Sequence, residues 1–344
     1  MQDKVKLLSV VVPVYFEEEI LNELHKRLKK VLVGLESRVN HEIIFVNDGS
    51  TDHSLQILRQ LQKRDKNVRV IDLSRNFGHQ IAITAGIEHA RGDAVVVIDD
   101  DLQDPPEVIA EMVDKWQEGY SVVYGIRSER KGENAFKLFT AKLFYRLLGK
   151  LSDVKIPLDT GDFRLMSREV VDVLKKMSEE SRYVRGMIAW IGFPQVGVPY
   201  KRDARHAGET KYTLKKQLSF ALDGITGFSD KPLRLTIHLG IFITIIAFLA
   251  ILWVVIDKVV FHVPIVRGWT SLVAVILFLG GMQLISIGIV GEYIGRIFRE
   301  TKNRPLYVIA EKFGFECSKE DIEENKVSKT DIDYQQSLIN NSNS

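Results

Sequence analysis

One cysteine, Cys317, is all the thiol chemistry in 344 residues. A single cysteine excludes an internal disulfide and cannot by itself build a thiolate metal site, which fits a reducing, cytosol-facing location. An excess of one charge is also missing. The 47 Lys and Arg residues against 45 Asp and Glu leave a formal net charge of +2, so charge gives no reason to expect nucleic acid as a partner. No secretory signal is expected at the N-terminus, because its first apolar run, Leu7 to Val12, is short, meets Pro13 and gives way to three glutamates. No GxGxxG follows that run, so the dinucleotide fingerprint of a Rossmann oxidoreductase is absent.

Charge is absent again, more tellingly, from two long stretches. Residues 235–256 are 22 positions without Asp, Glu, Lys or Arg, and residues 268–291 are 24 more. A helix rises 1.5 Å per residue, so about 20 apolar residues cross a hydrocarbon core of roughly 30 Å. Both stretches are therefore expected to span a membrane. Lys211, Lys215, Lys216, Lys231 and Arg234 precede the first, and Arg296, Arg299, Lys302 and Arg304 follow the second. The loop between holds only Lys258 and Arg267, so the positive-inside rule puts both termini in the cytoplasm and the protein in the cell membrane with two spans. The expected organisation is a catalytic-sized domain at 1–210, a juxtamembrane amphipathic helix at 211–234, spans at 235–256 and 268–291 joined by an external loop at 257–267, and a cytoplasmic tail at 292–344 that ends in disorder.

Over the first 125 residues, β-branched runs alternate with amphipathic stretches. Strands are expected at Leu8–Val14, Glu42–Asn47, Val68–Leu73, Ala94–Ile98 and Ser121–Gly125. Helices are expected near Glu17–Leu35, Asp52–Arg64, Gly78–Ala90 and Pro106–Glu118. This alternation predicts an α/β fold with a mostly parallel sheet covered by helices on both faces. Ligands of such sheets bind at the carboxyl ends of the strands. Polar clusters sit at three of those ends: Pro13 to Glu17, Asn47 to Asp52, and Asp99 to Gln103.

The third cluster places Asp99, Asp100 and Asp101 in succession after an apolar run, with Gln103 two residues on. Three adjacent carboxylates repel one another, and a divalent cation shared with a phosphorylated substrate would remove that cost. A solvated acidic turn with Pro105 and Pro106 in the next helix's first turn explains the same residues. At the first strand end, Tyr15 and Glu17 offer a ring and a carboxylate to a nucleobase. At the second, Asp48 is an acceptor for a nucleoside, Gly49 permits a tight turn, and Ser50 or Thr51 caps the following helix.

Taken in order, PVYxEE, VNDGSTD, DDDLQDPPE and GDFRLMSRE resemble the family 2 glycosyltransferases with the nucleotide-diphosphosugar (GT-A) fold. More narrowly, the chain is similar to polyprenyl-phosphate glycosyltransferases such as the dolichyl-phosphate mannosyltransferases and bactoprenol glucosyltransferases, over about Lys6 to Leu306. The resemblance implies that Pro13, Tyr15, Glu17 and Asp48 hold the base and ribose of a nucleotide sugar. It implies that Asp99, Asp101 and Gln103 surround Mg2+ or Mn2+, with Asp100 adding only charge. Asp162 matches the aspartate usually assigned as catalytic base, although an acceptor phosphate is already ionised near neutral pH. Positioning of phosphate, metal or donor, or an internal ion pair with Arg164, fits Asp162 and Arg164 equally well. Arg127, Arg164, Arg205 and Lys211 are the candidates for binding substrate phosphate.

These readings predict inverting transfer of a hexose, glucose from UDP-glucose first among the donors, to undecaprenyl phosphate at the cytoplasmic face. GDP-mannose, UDP-N-acetylhexosamine and UDP-formamido-arabinose fit the same motifs, and a non-catalytic, membrane-tethered nucleotide-sugar binding protein is the alternative. A processive synthase is disfavoured by the lack of QxxRW and of further spans. The resemblance also implies a homo-oligomer, with a tetramer as one candidate.

Overall fold

The computed structural model describes residues 6–127, 160–180, 182–201, 268–315 and scattered positions within 233–256. The first half alternates β1 (Lys6–Val14), α1 (Leu21–Gly34), β2 (Val39–Asn47), α2 (Ser54–Arg64), β3 (Val68–Leu73), α3 (His79–His89), β4 (Ala94–Val97), α4 (Val108–Gln117) and β5 (Val122–Arg127). These are the elements that periodicity predicts, within a few residues at each end. Then come β6 (Thr160–Ser167), α5 (Arg168–Lys176), α6 (Val184–Ile191), β7 (Gln195–Tyr200), α7 (Trp269–Thr301) and β8 (Ile309–Phe313).

The eight strands make one sheet in the order β7-β5-β6-β4-β1-β2-β3-β8. Pairings around β1 to β3, and of β5 with β7, are parallel, while β6 runs antiparallel between β4 and β5. This is the mostly parallel GT-A arrangement that the motifs implied. Pro13 is tolerated in the central strand because β4 pairs β1 only as far as Val11, so its missing N–H breaks no ladder on that side.

Helices cover both faces. On one, Leu21, Leu24, Leu28 and Leu32 recur at helical spacing along α1, are fully buried, and pack with Val10, Val12, Phe45 and α4's Met112. Each such leucine contributes on the order of 1.5–3 kcal/mol. On the other, α3, α5 and α6 meet Val11, Val46, Val95 and Val97. The middle of α3 is buried from Ala82 to Ile87, so this helix is wedged against the sheet rather than laid on it. Gly86 makes the approach possible, since a Cβ there would lie 2.2 Å from Cγ1 of Val11.

The C-terminal segment departs from the expected tail. The α7 helix is 33 residues long and continues ten residues past the apolar stretch that ends at Gly291. After it, β8 pairs antiparallel with β3, matching Val70 with Phe313. Alternation could not reveal β8, because the five residues IAEKF carry almost no period-2 signal and their partner is some 240 positions away. The sheet and the C-terminal end of α7 must therefore lie on the same side of any membrane that α7 crosses. The described positions of 233–256 are helical, as expected. The loop at 257–267 and residues 211–232 of the juxtamembrane stretch lie outside the described residues.

Replacing Gly86 by Ala is expected to lift α3 off β1 and cost about 1–3 kcal/mol, read as a lower unfolding temperature of the detergent-solubilised protein. An unchanged temperature would show that the helix has room to spare.

Candidate active site

The carboxyl ends of β1, β2, β3 and β4 converge on one edge, where β6 adds Asp162. Three short links tie the first two ends together. The Phe16 N–H donates to Ser50 Oγ at 3.2 Å, the Glu17 N–H to Ser54 Oγ at 3.2 Å, and the His53 N–H to a Glu18 carboxylate oxygen at 2.8 Å. Ser50 thus steadies the β1 loop rather than capping α2. Asp52 instead accepts the Ser54 N–H at 3.1 Å, just ahead of α2. Tyr15 and Phe16 stand exposed at this corner, edge to face with centroids 4.4 Å apart, and Glu17 is half-buried. Pro13 is buried in the strand behind them.

Asp48 is only 2% exposed and is already engaged by the loop after β3. Its carboxylate accepts the Phe77 N–H at 2.7 Å, the Gly78 N–H at 2.9 Å and the Asn76 side-chain amide at 3.1 Å. Burial raises its pKa despite these bonds. A nucleoside would find one lone pair left of about four, so the observed work of Asp48 is to hold the 75–78 loop. Gly49 (φ +68°) completes this clamp, because a Cβ there would overlap the Arg75 backbone at 2.4 Å.

That loop delivers His79, the first residue of α3, into the acidic edge. His79 Nε2 lies 3.4 Å from Asp99 Oδ1 and 3.3 Å from Asp162 Oδ2. One ligand atom from each of the three falls within 4.8 Å of the others. Asp162 is also clamped by Arg185, whose Nε and Nη2 donate to its two oxygens at 2.7 and 3.0 Å, and by Gln80 Nε2 at 3.0 Å. The ion partner of Asp162 is therefore Arg185, not Arg164. Arg164, also buried, donates to the Gly161 carbonyl at 2.8 Å, and burial lowers its pKa to about 10.

The electrostatics follow from this packing. Burial opposes ionisation of Asp162, yet the Arg185 charge and the His79 hydrogen bond outweigh it and hold the carboxyl well below the usual range. Burial would likewise lower the His79 pKa, but its bond to Asp162 and the charge of Asp99 raise it to about 9. Asp99 is pushed up to about 6, by burial first, against the opposing charge of His79, with Asp104, Asp162 and Asp101 adding to the rise. Asp100 is raised well above the usual range by burial and then by Glu17 and Asp99. It also accepts the Tyr15 N–H at 3.3 Å, so it joins two strand ends as well as adding charge. Asp101 accepts the Gln103 N–H at 3.1 Å across the left-handed Leu102 (φ 55°).

Further along the edge, Asp104 is fully buried and accepts the Tyr200 hydroxyl, with Arg127 at 4.0 Å. Arg127 also reaches Tyr200 and lies against Gly161. Arg205 and Lys211 lie outside the described residues.

The site's residues fit a divalent cation. Asp99 Oδ1 is buried without a hydrogen-bond partner, carboxylates crowd around it, and hard oxygen donors suit Mg2+ or Mn2+. The structure groups Asp99 with His79 and Asp162, however, rather than with Asp101 and Gln103 alone. His79, Gln80, Asp104, Arg185 and Tyr200 were not legible as site residues. For His79 and Gln80 a signal existed, since SRNFGHQ is a polar run at a fourth strand end. Arg185 and Tyr200 follow a segment without clear periodicity and gave none.

Because the folded-state pKa of His79, about 9, lies above its ordinary 6.5, its contribution to stability is complete below pH 6.5 and is lost as pH rises towards 9. Unfolding temperatures measured in EDTA are expected to fall across that window, and H79Q to flatten the fall. A difference between wild type and H79Q that does not change with pH would refute this. Separately, R185Q leaves Asp162 buried without its main cation and is expected to cost about 3 kcal/mol, measured by denaturant titration.

A family model described as glycosyl transferase family 2 matches residues 9–174, and one described as the GtrB C-terminal hairpin matches 231–297. The chain is 52% identical over 308 residues to the uncharacterized glycosyltransferase YkcC of Bacillus subtilis, covering 90% of this chain and 94% of that one. It is 46% identical over 302 residues to the bactoprenol glucosyl transferase of Shigella phage SfII, covering 88% and 97%. It is 43% identical over 302 residues to a prophage bactoprenol glucosyl transferase homolog of Escherichia coli K12, covering 88% and 98%. A transferase-sized sheet bearing an acidic edge and followed by a segment that matches the GtrB C-terminal hairpin thus has relatives over about nine-tenths of the chain, and the chain belongs to glycosyltransferase family 2.

Proposed function

We propose that this protein moves glucose from UDP-glucose to undecaprenyl phosphate, a polyprenyl phosphate, at the membrane face occupied by its catalytic domain. The observation that carries this reading is the near full-length similarity to proteins named bactoprenol glucosyl transferases, combined with the acidic edge. In the proposed step an oxygen of the lipid phosphate attacks the anomeric carbon, the bond from that carbon to the β-phosphate oxygen breaks, and UDP leaves. Attack opposite the leaving group inverts the α-linked donor to a β-linked lipid product.

Asp99 and Asp101, with Gln103, are the proposed holders of Mg2+ or Mn2+, joined by the His79 and Asp162 cluster. The cation would neutralise charge on the departing diphosphate. Asp162 is assigned a positioning role. A carboxylate held ionised by Arg185 is a poor base, and the acceptor phosphate has no proton that must be removed. What Asp162 does in this reading is fix Arg185, His79 and Gln80 around the reacting phosphates. Tyr15 and Glu17 are proposed to meet the uracil and ribose, and Arg127 and Arg164 to attract substrate phosphate, as are Arg205 and Lys211.

The anchor is proposed to have two spans with the catalytic domain and both termini in the cytoplasm. Support comes from the basic flanks and from the described part of α7, where an 18-residue window within Phe278–Thr301 has mean hydropathy 1.3 and is not buried against the protein. A homo-oligomer, with a tetramer as one candidate, remains part of the proposal.

The test incubates purified protein and undecaprenyl phosphate with each of UDP-glucose, GDP-mannose, UDP-N-acetylglucosamine and UDP-formamido-arabinose, with Mg2+ or Mn2+, and reads the lipid by mass spectrometry. A hexosyl adduct from UDP-glucose alone is expected, lost in EDTA. D99N is expected to lower turnover about 100- to 1,000-fold, and D101A to abolish it even with added Mn2+. An adduct from another donor, or none, would overturn the glucosyl reading.

A further inference from the structure

Where α7 ends, the chain forms a groove of about 310 Å³ against the segment that follows α5. That size is at the low end of the ligand-site range of about 300–1,000 Å³. Lys175 and Lys176 come from the end of α5, Arg182 from just before α6, and Arg299 and Arg304 from the end of α7 and beyond. Two carboxylates face these five cations, Glu180 and Glu300. Glu300 is occupied in part by the Glu180 N–H at 2.9 Å. Arg299 reaches Glu292 only at 3.9 Å. Among the described residues, Lys175, Lys176, Arg182 and Arg304 have no carboxylate within ion-pair distance, and the Arg182 Nε is buried without a hydrogen-bond partner.

Concentrated, uncompensated cations around a half-buried guanidinium invite an anion with several oxygens, since guanidinium matches phosphate geometry. The height of the groove selects which anion. The apolar stretch ends at Gly291 and Glu292 is the first ionisable residue after it. Arg299 follows seven residues later, about 10 Å along the helix axis. Bilayers of roughly 40–45 Å around a 30 Å core leave headgroup layers of about 5–8 Å, so the Arg299 backbone stands just beyond the headgroup layer and the long lysine and arginine side chains of the groove reach back to its phosphates.

We propose that this groove is a binding site for the phosphodiester headgroup of an anionic phospholipid, in the leaflet facing the catalytic domain and apart from the acidic edge. The proposal rests on the reading of α7 as a membrane span, and does not depend on which sugar the enzyme transfers.

The test is native mass spectrometry of the full-length protein in detergent, titrated with phosphatidylglycerol or phosphatidylcholine. Selective retention of phosphatidylglycerol is expected. K176Q/R304Q is expected to weaken it about thirty-fold, from roughly two basic residues' worth of headgroup attraction, while K176R/R304K keeps it. Equal retention of the two lipids, undiminished retention by K176Q/R304Q, or displacement of phosphatidylglycerol by an equal concentration of inorganic phosphate would each overturn the site. No sugar transfer enters this readout, so a chain that retains the lipid selectively yet glycosylates nothing refutes the transferase reading alone. Extraction of the protein from vesicles by carbonate would refute the span itself.

Discussion

Carboxylates gathered at one edge of a sheet are the constraint around which the rest of this structure is arranged. Asp48, Asp104 and Asp162 are at most 5% exposed, and an ionised carboxylate moved out of water must find donors or cations or else take up a proton. Each meets a different solution. Asp48 binds N–H groups of the 75–78 loop, Asp104 meets Tyr200 and Arg127, and Asp162 takes Arg185, His79 and Gln80. Asp99 is compensated only in part: His79 faces it, its pKa stays raised, and one of its oxygens is buried without a hydrogen-bond partner. The residual demand for positive charge is thus concentrated where a nucleoside diphosphate and its cation would arrive.

The compensation depends on backbone positions that pack far from the charge. His79 reaches Asp99 and Asp162 because α3 is seated deep on β1, which Gly86 permits, and because Asp48 holds the loop that starts the helix. A side chain at position 86, one methyl group large, acts on the acidic edge through seven residues of helix. Packing and chemistry are therefore one problem here, and the electrostatics cannot be read apart from the sheet.

The first half of the fold was legible because each strand and helix carries its own period and each connection is short. Alternation gave β1 to β5, and the strand-end rule then placed the acidic run correctly on the carboxyl edge. What stayed hidden depends on long-range pairing. The insertion of β6 between β4 and β5 brings Asp162 to the edge from 63 positions beyond Asp99, and β8 closes the far side of the sheet from beyond the anchor. Neither has a local signature. Arg185 was invisible for the same reason: only β6's antiparallel register and the start of α6 put its guanidinium on Asp162, whereas proximity in sequence favours Arg164. Asp48 carries a side chain suited to a nucleoside and equally suited to a backbone clamp, and its burial and three hydrogen bonds reveal the clamp, which its sequence context did not.

The return of the chain to the sheet after α7 has a mechanical consequence. β8 fixes one end of the 302–308 connection on β3, reinforced by the ion pair of Arg59 with Glu311 and the stacking of Arg59 on Phe313 at 4.7 Å. Glu300 grips the backbone of Glu180, and five residues later Arg185 grips Asp162. Between them, the Val184 N–H donates to Gln80, which itself donates to Asp162. Among the described residues, the C-terminal end of α7 is thus joined to the acidic edge by a short run of hydrogen bonds and one ion pair. With α7 crossing a membrane as proposed, a lipid phosphate at the bilayer surface would meet a site whose height above that surface is set by this covalent and hydrogen-bonded structure. For an acceptor confined to two dimensions that height would bear directly on rate, because misplacing reacting groups by about 1 Å can cost on the order of 100-fold.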